Sequence, residues 1–232
     1  MKALQVVIRG FTASYRIPFA IAGVQVCSPV PSYGNLLGLI SCCAGRRIST
    51  NETRIGFEFS SSSKSSDLER IVRWDYNIKK LGMPRLNDKG PGVRQREYLI
   101  DPLLVLYLSN LEFEDAFLHP KGIPTLGRSQ DLACIELERE VELIPVKKGT
   151  VGGTLIPLRA CPEDIIPGLM FRVPECMQYN ETTLLREALN NEVFIATAAA
   201  PGVRTEIELS SNLFAVSDGN QGECIYIHEW KE

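Results

Sequence analysis

Val and Ile crowd the opening segment ALQVVIRG, which ends in glycine, and this predicts a strand from Ala3 to Arg9. A polar and aromatic loop, FTASYRIPF, follows. The spacing then changes: Leu36, Leu37, Leu39, Ile40 and Cys43 recur at i, i+3 and i+4, which predicts a helix of about three turns. Ser32 is placed to cap its start and Gly45 to stop it. Alternation returns in TRIGFEFSS, where Ile55, Phe57 and Phe59 are separated by other residues, the pattern of a second strand.

Between Ser60 and Gly92 the pattern loosens. SSSSKSSD has the composition of a linker, LERIVRWDYNIKK alternates apolar with basic or aromatic residues, and LGMPRLNDKGPG is rich in turn formers. The segment is expected to be a two-stranded excursion with a mobile tip. VRQREYLIDPLLVLYLSN restores the core pattern, LEFEDAFL predicts a short amphipathic helix, and LACIELEREVELIPV predicts another strand. Strand, helix, strand, excursion, strand, helix, strand is the order of a ferredoxin-like sheet, a scaffold often used to bind RNA. The expected class is therefore α+β: a ferredoxin-like, RNA-recognition-like domain over 1–146 with an insertion at about 60–97. Residues 147–232 are expected to form a small β-rich appendage, with one helix in TTLLREALNN and short strands in VRTEIELS and ECIYIHEW.

The 232 residues, 44% of them hydrophobic, suffice for one large domain with its own core. No window nears the roughly 18 uncharged apolar residues of a membrane span, and MKALQVVIRG meets charge too early for a secretory signal, so a cytoplasmic protein is expected. The seven cysteines are odd in number and lack metal-ligand spacing, so reduced, mostly buried thiols and no metal or cofactor are expected. Charge is uneven along the chain. Through Ile100 there are 15 Lys and Arg against 7 Asp and Glu; from Asp101 onward there are 10 against 21. A basic front fits a polyanion, and an acidic back fits protein or solvent.

Catalytic motifs are sparse. Neither H-E-x-x-H, G-x-S-x-G nor a phosphate-binding P-loop occurs. His119, at the end of the second helix, has the position of a helix cap, while His228 lies in a strand-like tail. With Lys121 and Tyr98 or Tyr107, His119 has the residue types of a metal-free ribonuclease: a base for the 2′ hydroxyl and a cation for the phosphorane. Glu136, Glu138, Glu140 and Glu142 alternate and are expected on one strand face, more readily a solvated surface than a metal site.

Single-stranded RNA is held by cations along its backbone and planar side chains against its bases. The front of the chain offers both. Tyr15 and Arg16 follow the first strand, Tyr33 opens the helix, and Arg46 and Arg47 close it. Arg70, Arg73, Trp74, Tyr76, Lys79 and Lys80 lie in the excursion, with Trp74 and Tyr76 in strand register. Ser32, Tyr33 and Gly34 place helix amides where a phosphate is favoured.

Four segments together, IRGFTASYRIPFA, SPVPSYGNLLGLISCCAG, REYLIDPLLVLYL and PTLGRSQDLACI, resemble the Cas five family of type I CRISPR Cascade complexes. The resemblance spans about residues 1 to 145. It implies a ferredoxin-like domain whose excursion is a hairpin thumb, and a role in binding the 5′ handle of CRISPR RNA. The implied partners are that RNA, the repeated backbone subunit, the large subunit and, through them, target DNA. By motif, Ser14, Tyr15, Arg16, Ser32, Tyr33, Gly127, Arg128 and Ser129 would surround the handle, with Arg73, Trp74 and Tyr76 on the thumb. One branch of the family cuts repeat RNA, which leaves His119 and Lys121 as an alternative catalytic pair. A non-cleaving RNA-binding subunit is the leading expectation. The others are a metal-independent endoribonuclease and a protein-interaction module that touches no RNA.

Overall fold

The computed structural model describes residues 1–17, 24–72, 74–75, 85–86, 91–161, 166–183 and 185–231, with only the backbone at 74, 75, 85 and 86. The elements are β1 (Lys2–Gly10), β2 (Thr12–Ala13), β3 (Val24–Gln25), α1 (Tyr33–Ala44), β4 (Ile55–Ser60), β5 (Ser63–Ile71), β6 (Trp74–Asp75) and β7 (Arg85–Leu86). Then come β8 (Gly92–Ile100), β9 (Leu103–Leu108), a 3-10 turn at Leu111–Phe113, α2 (Glu114–Leu118), β10 (Ala133–Val151) and β11 (Leu155–Pro157). A 3-10 turn at Leu158–Ala160, β12 (Leu169–Asn180), β13 (Leu185–Ala196), β14 (Thr205–Val216) and β15 (Cys224–His228) complete the order. The protein is mixed α+β with mostly antiparallel sheets and few helices.

Strands β10, β1, β9 and β4 lie side by side in that order, all antiparallel. β14 pairs with β10 and β15 with β4, so the sheet closes into a barrel. Alternation along each strand separates two packed layers. Leu4, Val6 and Ile8 of β1 and Ile55, Phe57 and Phe59 of β4 pack with α1. Ala3, Tyr107, Ile225 and Ile227, from alternate positions, form a second cluster. A third joins the β11-β13-β12 sheet to the barrel through Ile156 and Ile195 against Ile207, Leu209 and Tyr226.

Helix α1 forms where the apolar spacing puts it, burying Leu36, Leu37, Leu39, Ile40 and Cys43 on one side. Ser32 caps it in a reciprocal box: its hydroxyl accepts from the Asn35 amide at 3.2 Å, and Asn35 Oδ1 accepts from the Ser32 amide at 3.1 Å. Gly45 ends it at φ 68°, a conformation that suits glycine and leaves no space for a Cβ beside Lys121. Full burial of a leucine such as Leu36 contributes roughly 1.5–3 kcal/mol.

The excursion is a long hairpin arm in which β5 pairs with β8 throughout and β6 pairs with β7 further out. β2 and β3 join the other edge of β8. Two expectations change. The serine-rich segment is no linker, because Ser63, Ser65 and Ser66 pair with β8. TTLLREALNN forms no helix from Leu185 onward; that part is the start of β13, whose backbone pairs with β12 while Leu185 and Leu189 remain exposed. The leucine spacing suited a helix, but no apolar surface covers it and strand pairing satisfies the backbone instead. β10 runs unbroken across position 147, and β14 and β15 close the barrel.

Candidate nucleic-acid interface

The exposed side of α1 is lined by small residues. Gly38 has open space where a Cβ would project, so close packing is not what requires glycine there. Along this side runs a cleft of about 620 Å3. Its walls are the loop after β2, the loop that precedes β10, the end of α1, and β12 with the start of β13.

Arg16, Arg47, Arg128 and Arg186 line this cleft, and among the described residues no Asp or Glu does. In a chain with 28 acidic residues against 25 basic ones, that segregation is a local property of the site. Arg16, Arg47 and Arg186 are exposed and make no ion pair among the described residues. Three cations without counter-ions around a concave surface attract a polyanion.

Arg128 differs. It is held by Asp131 through Nε at 3.1 Å and Nη2 at 3.1 Å, reaches Asp67 of β5 at 3.2 Å, and lies over the Tyr98 ring. Asp131 is fully buried and also accepts from Thr12 Oγ1 at 2.6 Å and the Arg128 amide at 3.0 Å. At Gly127, φ is 123° and a built Cβ would sit 2.0 Å from the Ser14 carbonyl oxygen. The LGRSQD motif is thus a knot that ties the loop after β2 and the hairpin arm to β10 and holds Arg16 at the rim.

The cleft gathers Ser14, Tyr15, Arg16, Ser32, Arg47, Gly127 and Arg128 of the expected residues. They differ in exposure. Ser14 and Tyr15 are buried, and the Tyr15 ring packs edge-on against Phe59. Tyr33 is buried too, donating to the Leu155 carbonyl at 2.6 Å and stacked on His228 with centroids 4.0 Å apart. Burial pushes both phenols well above their usual pKa. Neither ring is open to a base, because each aromatic fills space between the sheet and its covering elements.

Arg46 points into another groove, where it pairs with Glu52 at 2.7 Å and holds that carboxyl down to about 2. Ser129 is exposed but does not line the cleft. Arg73 and Tyr76 lie outside the described residues, and of Trp74 only the backbone is described, opposite Leu86.

Of the alternative catalytic residues, Tyr98 and Tyr107 have surroundings unlike those of Lys121. His119 follows α2, its amide donating to the Asp115 carbonyl at 2.9 Å. Lys121 borders the groove that holds Arg46. Tyr98 is covered by Arg128, while Tyr107 accepts from Gln5 at 2.8 Å in the mouth of the barrel. A bulge between Val7 and Ile8 breaks the expected glutamate row by making Glu136 the extra residue; Glu136 pairs with Arg9 at 2.6 Å and Glu140 with Lys2 at 2.5 Å. Among the described residues no cluster of three or more His, Cys, Asp or Glu is placed to hold a metal, and no helix is long and apolar enough to cross a membrane.

The sequence reading missed the β12–β13 wall, which brings Met177, Tyr179 and Arg186 to the cleft. Apolar alternation in FRVPECMQY and the Asn at the turn were the available signals. The helical spacing of the leucines beyond obscured them.

No protein-family model and no curated protein matches the chain. Solved structures do. A chain of a CRISPR RNA-guided surveillance complex is 18% identical, with 89% of this chain and 91% of that chain covered at a TM-score of 0.57. A CRISPR protein from Archaeoglobus fulgidus is 10% identical, with 97% of this chain and 98% of that chain covered at a TM-score of 0.51. At these identities the likeness is one of fold.

Proposed function

We propose that this protein is a non-catalytic, RNA-binding subunit of a type I CRISPR effector complex, of the Cas five kind. It holds the 5′ handle of CRISPR RNA in the cleft beside α1. The observation that carries this reading is the cleft itself, lined among the described residues by four arginines and no carboxylate, because RNA backbone binding is dominated by cation contacts to phosphate. The β10-β1-β9-β4 order, with α1 and α2 in the two crossovers, supports the ferredoxin-like reading. The hairpin arm supports the thumb, which would lie beside the repeated backbone subunit. The fold likeness to a chain of a surveillance complex supports assembly with other subunits, the large subunit among them, for RNA-guided recognition of DNA.

The test is a filter-binding assay at low salt in EDTA, using a handle-length oligonucleotide and a repeat hairpin. The reading predicts retention of the handle, loss of retention on Arg16→Ala with Arg47→Ala, and an intact hairpin. Cleavage that disappears on His119→Ala would instead establish the endoribonuclease. Absence of any retention would leave the protein-interaction module.

A further inference from the structure

We infer that the outer half of the β12–β13 hairpin is a base-stacking site, where Tyr179 takes one splayed nucleobase of single-stranded RNA and Arg186 the adjoining phosphate. This rests on the proposal that the cleft holds RNA, and it adds a wall that none of the sequence motifs contains.

Tyr179 and Arg186 stand directly opposite each other across the antiparallel pair. Their side chains therefore share one face, with Cβ atoms about 4.5–5.5 Å apart. Both border the cleft. Tyr179 is 42% exposed. Arg186 is exposed and has no ion pair among the described residues. Met177, two residues before Tyr179 on the same face, is 45% exposed and opposes Ala188. This face is thus aromatic, apolar and cationic.

The reverse face has a different character. Leu185, Glu187 and Leu189 oppose Asn180, Gln178 and Cys176 there. Glu187 is engaged by Asn180 Nδ2 at 2.8 Å, which keeps its carboxylate from Arg186. Asn180 Oδ1 also accepts from the amides of Thr182 at 2.9 Å and Thr183 at 3.1 Å, fixing the turn. The aliphatic side chains suited to a protein partner lie on the reverse face, and the planar ring and cation lie on the cleft face. A nucleotide needs those two groups side by side: a π surface for its base and a positive charge for its phosphate.

The hairpin is also anchored at its base. Glu175 of β12 is buried, accepts from Arg159 at 2.9 Å, and lies 3.2 Å from His228 Nε2. Arg159 bridges to Glu192 of β13 at 2.6 Å. Such an anchor holds Tyr179 in place before RNA arrives, which lowers the ordering cost of binding.

The experiment is fluorescence anisotropy with a labelled eight-nucleotide single-stranded RNA, repeated over a range of salt. Tyr179→Ala is expected to weaken binding about 5- to 150-fold with the salt slope unchanged, and Tyr179→Phe to bind as the wild type. Arg186→Ala is expected to lower the salt slope by about 0.7. An abasic oligonucleotide is expected to bind the wild type and Tyr179→Ala equally. Wild-type binding that Tyr179→Ala leaves intact would overturn the stacking site alone, including the case where that variant loses only a protein partner. No binding by the wild type would overturn the cleft reading and this inference with it. Circular dichroism confirms that the variants, altered at exposed positions, remain folded.

Discussion

Two of this protein's clefts are each lined by more than one arginine, and their chemistry is opposite. At the mouth of the barrel Arg139 donates to Gln5 at 2.6 Å and pairs with Asp218, while Arg204 pairs with Glu58 at 2.7 Å. Glu58, Asp218 and Glu223 line that cleft of about 200 Å3 along with the arginines. Beside α1, Arg16, Arg47 and Arg186 line a cleft with no carboxylate among the described residues. Compensated arginines join strands; uncompensated ones leave a positive field for a ligand. Arg128 shows that position alone does not decide the role, since it borders the α1 cleft but is bound by Asp131 and Asp67 as the barrel arginines are bound.

The comparison can be broken most forcefully at Arg128. Arg128→Ala strands the buried Asp131 carboxylate, and urea unfolding at pH 7 is expected to show a loss of about 3–5 kcal/mol. A loss below about 1 kcal/mol would place Arg128 with the ligand-binding arginines instead. Next in size, Arg16→Ala with Arg47→Ala is expected to weaken single-stranded RNA binding about 100-fold with unfolding unchanged. Arg139→Ala is expected to do the reverse. Equal effects of the two changes on RNA would erase the distinction between the clefts.

Smaller effects sharpen the supports of the α1 cleft. Ser32→Ala removes the capping hydroxyl and is expected to cost about 1 kcal/mol in unfolding experiments. Burial lowers the His228 pKa below its usual value near 6.5, against the opposing pull of Glu175. The unfolded chain therefore takes up a proton that the folded one resists. Stability from this group is full above about pH 6.5 and falls as pH drops toward the lower folded value. Melting temperatures from pH 7.5 to 5 are expected to fall, and His228→Gln to flatten that fall.

What could be read from the sequence followed local rules. Ser32, Gly45 and the leucine spacing defined α1, because caps and apolar periodicity act within a few residues. The alternation in TRIGFEFSS and ALQVVIRG likewise gave β4 and β1. What could not be read depended on distant partners. Tyr15 and Tyr33 have the residue type of a base platform, yet Phe59 and His228, far along the chain, enclose them. Arg46 and Arg47 are neighbours in sequence, but only Arg46 meets Glu52. Tyr179 and Arg186 become one surface only through a register that leucine periodicity concealed.

The central claim is that the cleft beside α1 holds an RNA backbone through its uncompensated arginines. The most direct measurement is the salt dependence of single-stranded RNA affinity for the wild type, for Arg16→Ala/Arg47→Ala/Arg186→Ala together, and for Arg139→Ala. Each phosphate contact contributes about 0.7 to the slope, so the triple change is expected to lower it by roughly 2 while Arg139→Ala leaves it unchanged. A triple variant with the wild-type slope would contradict the claim.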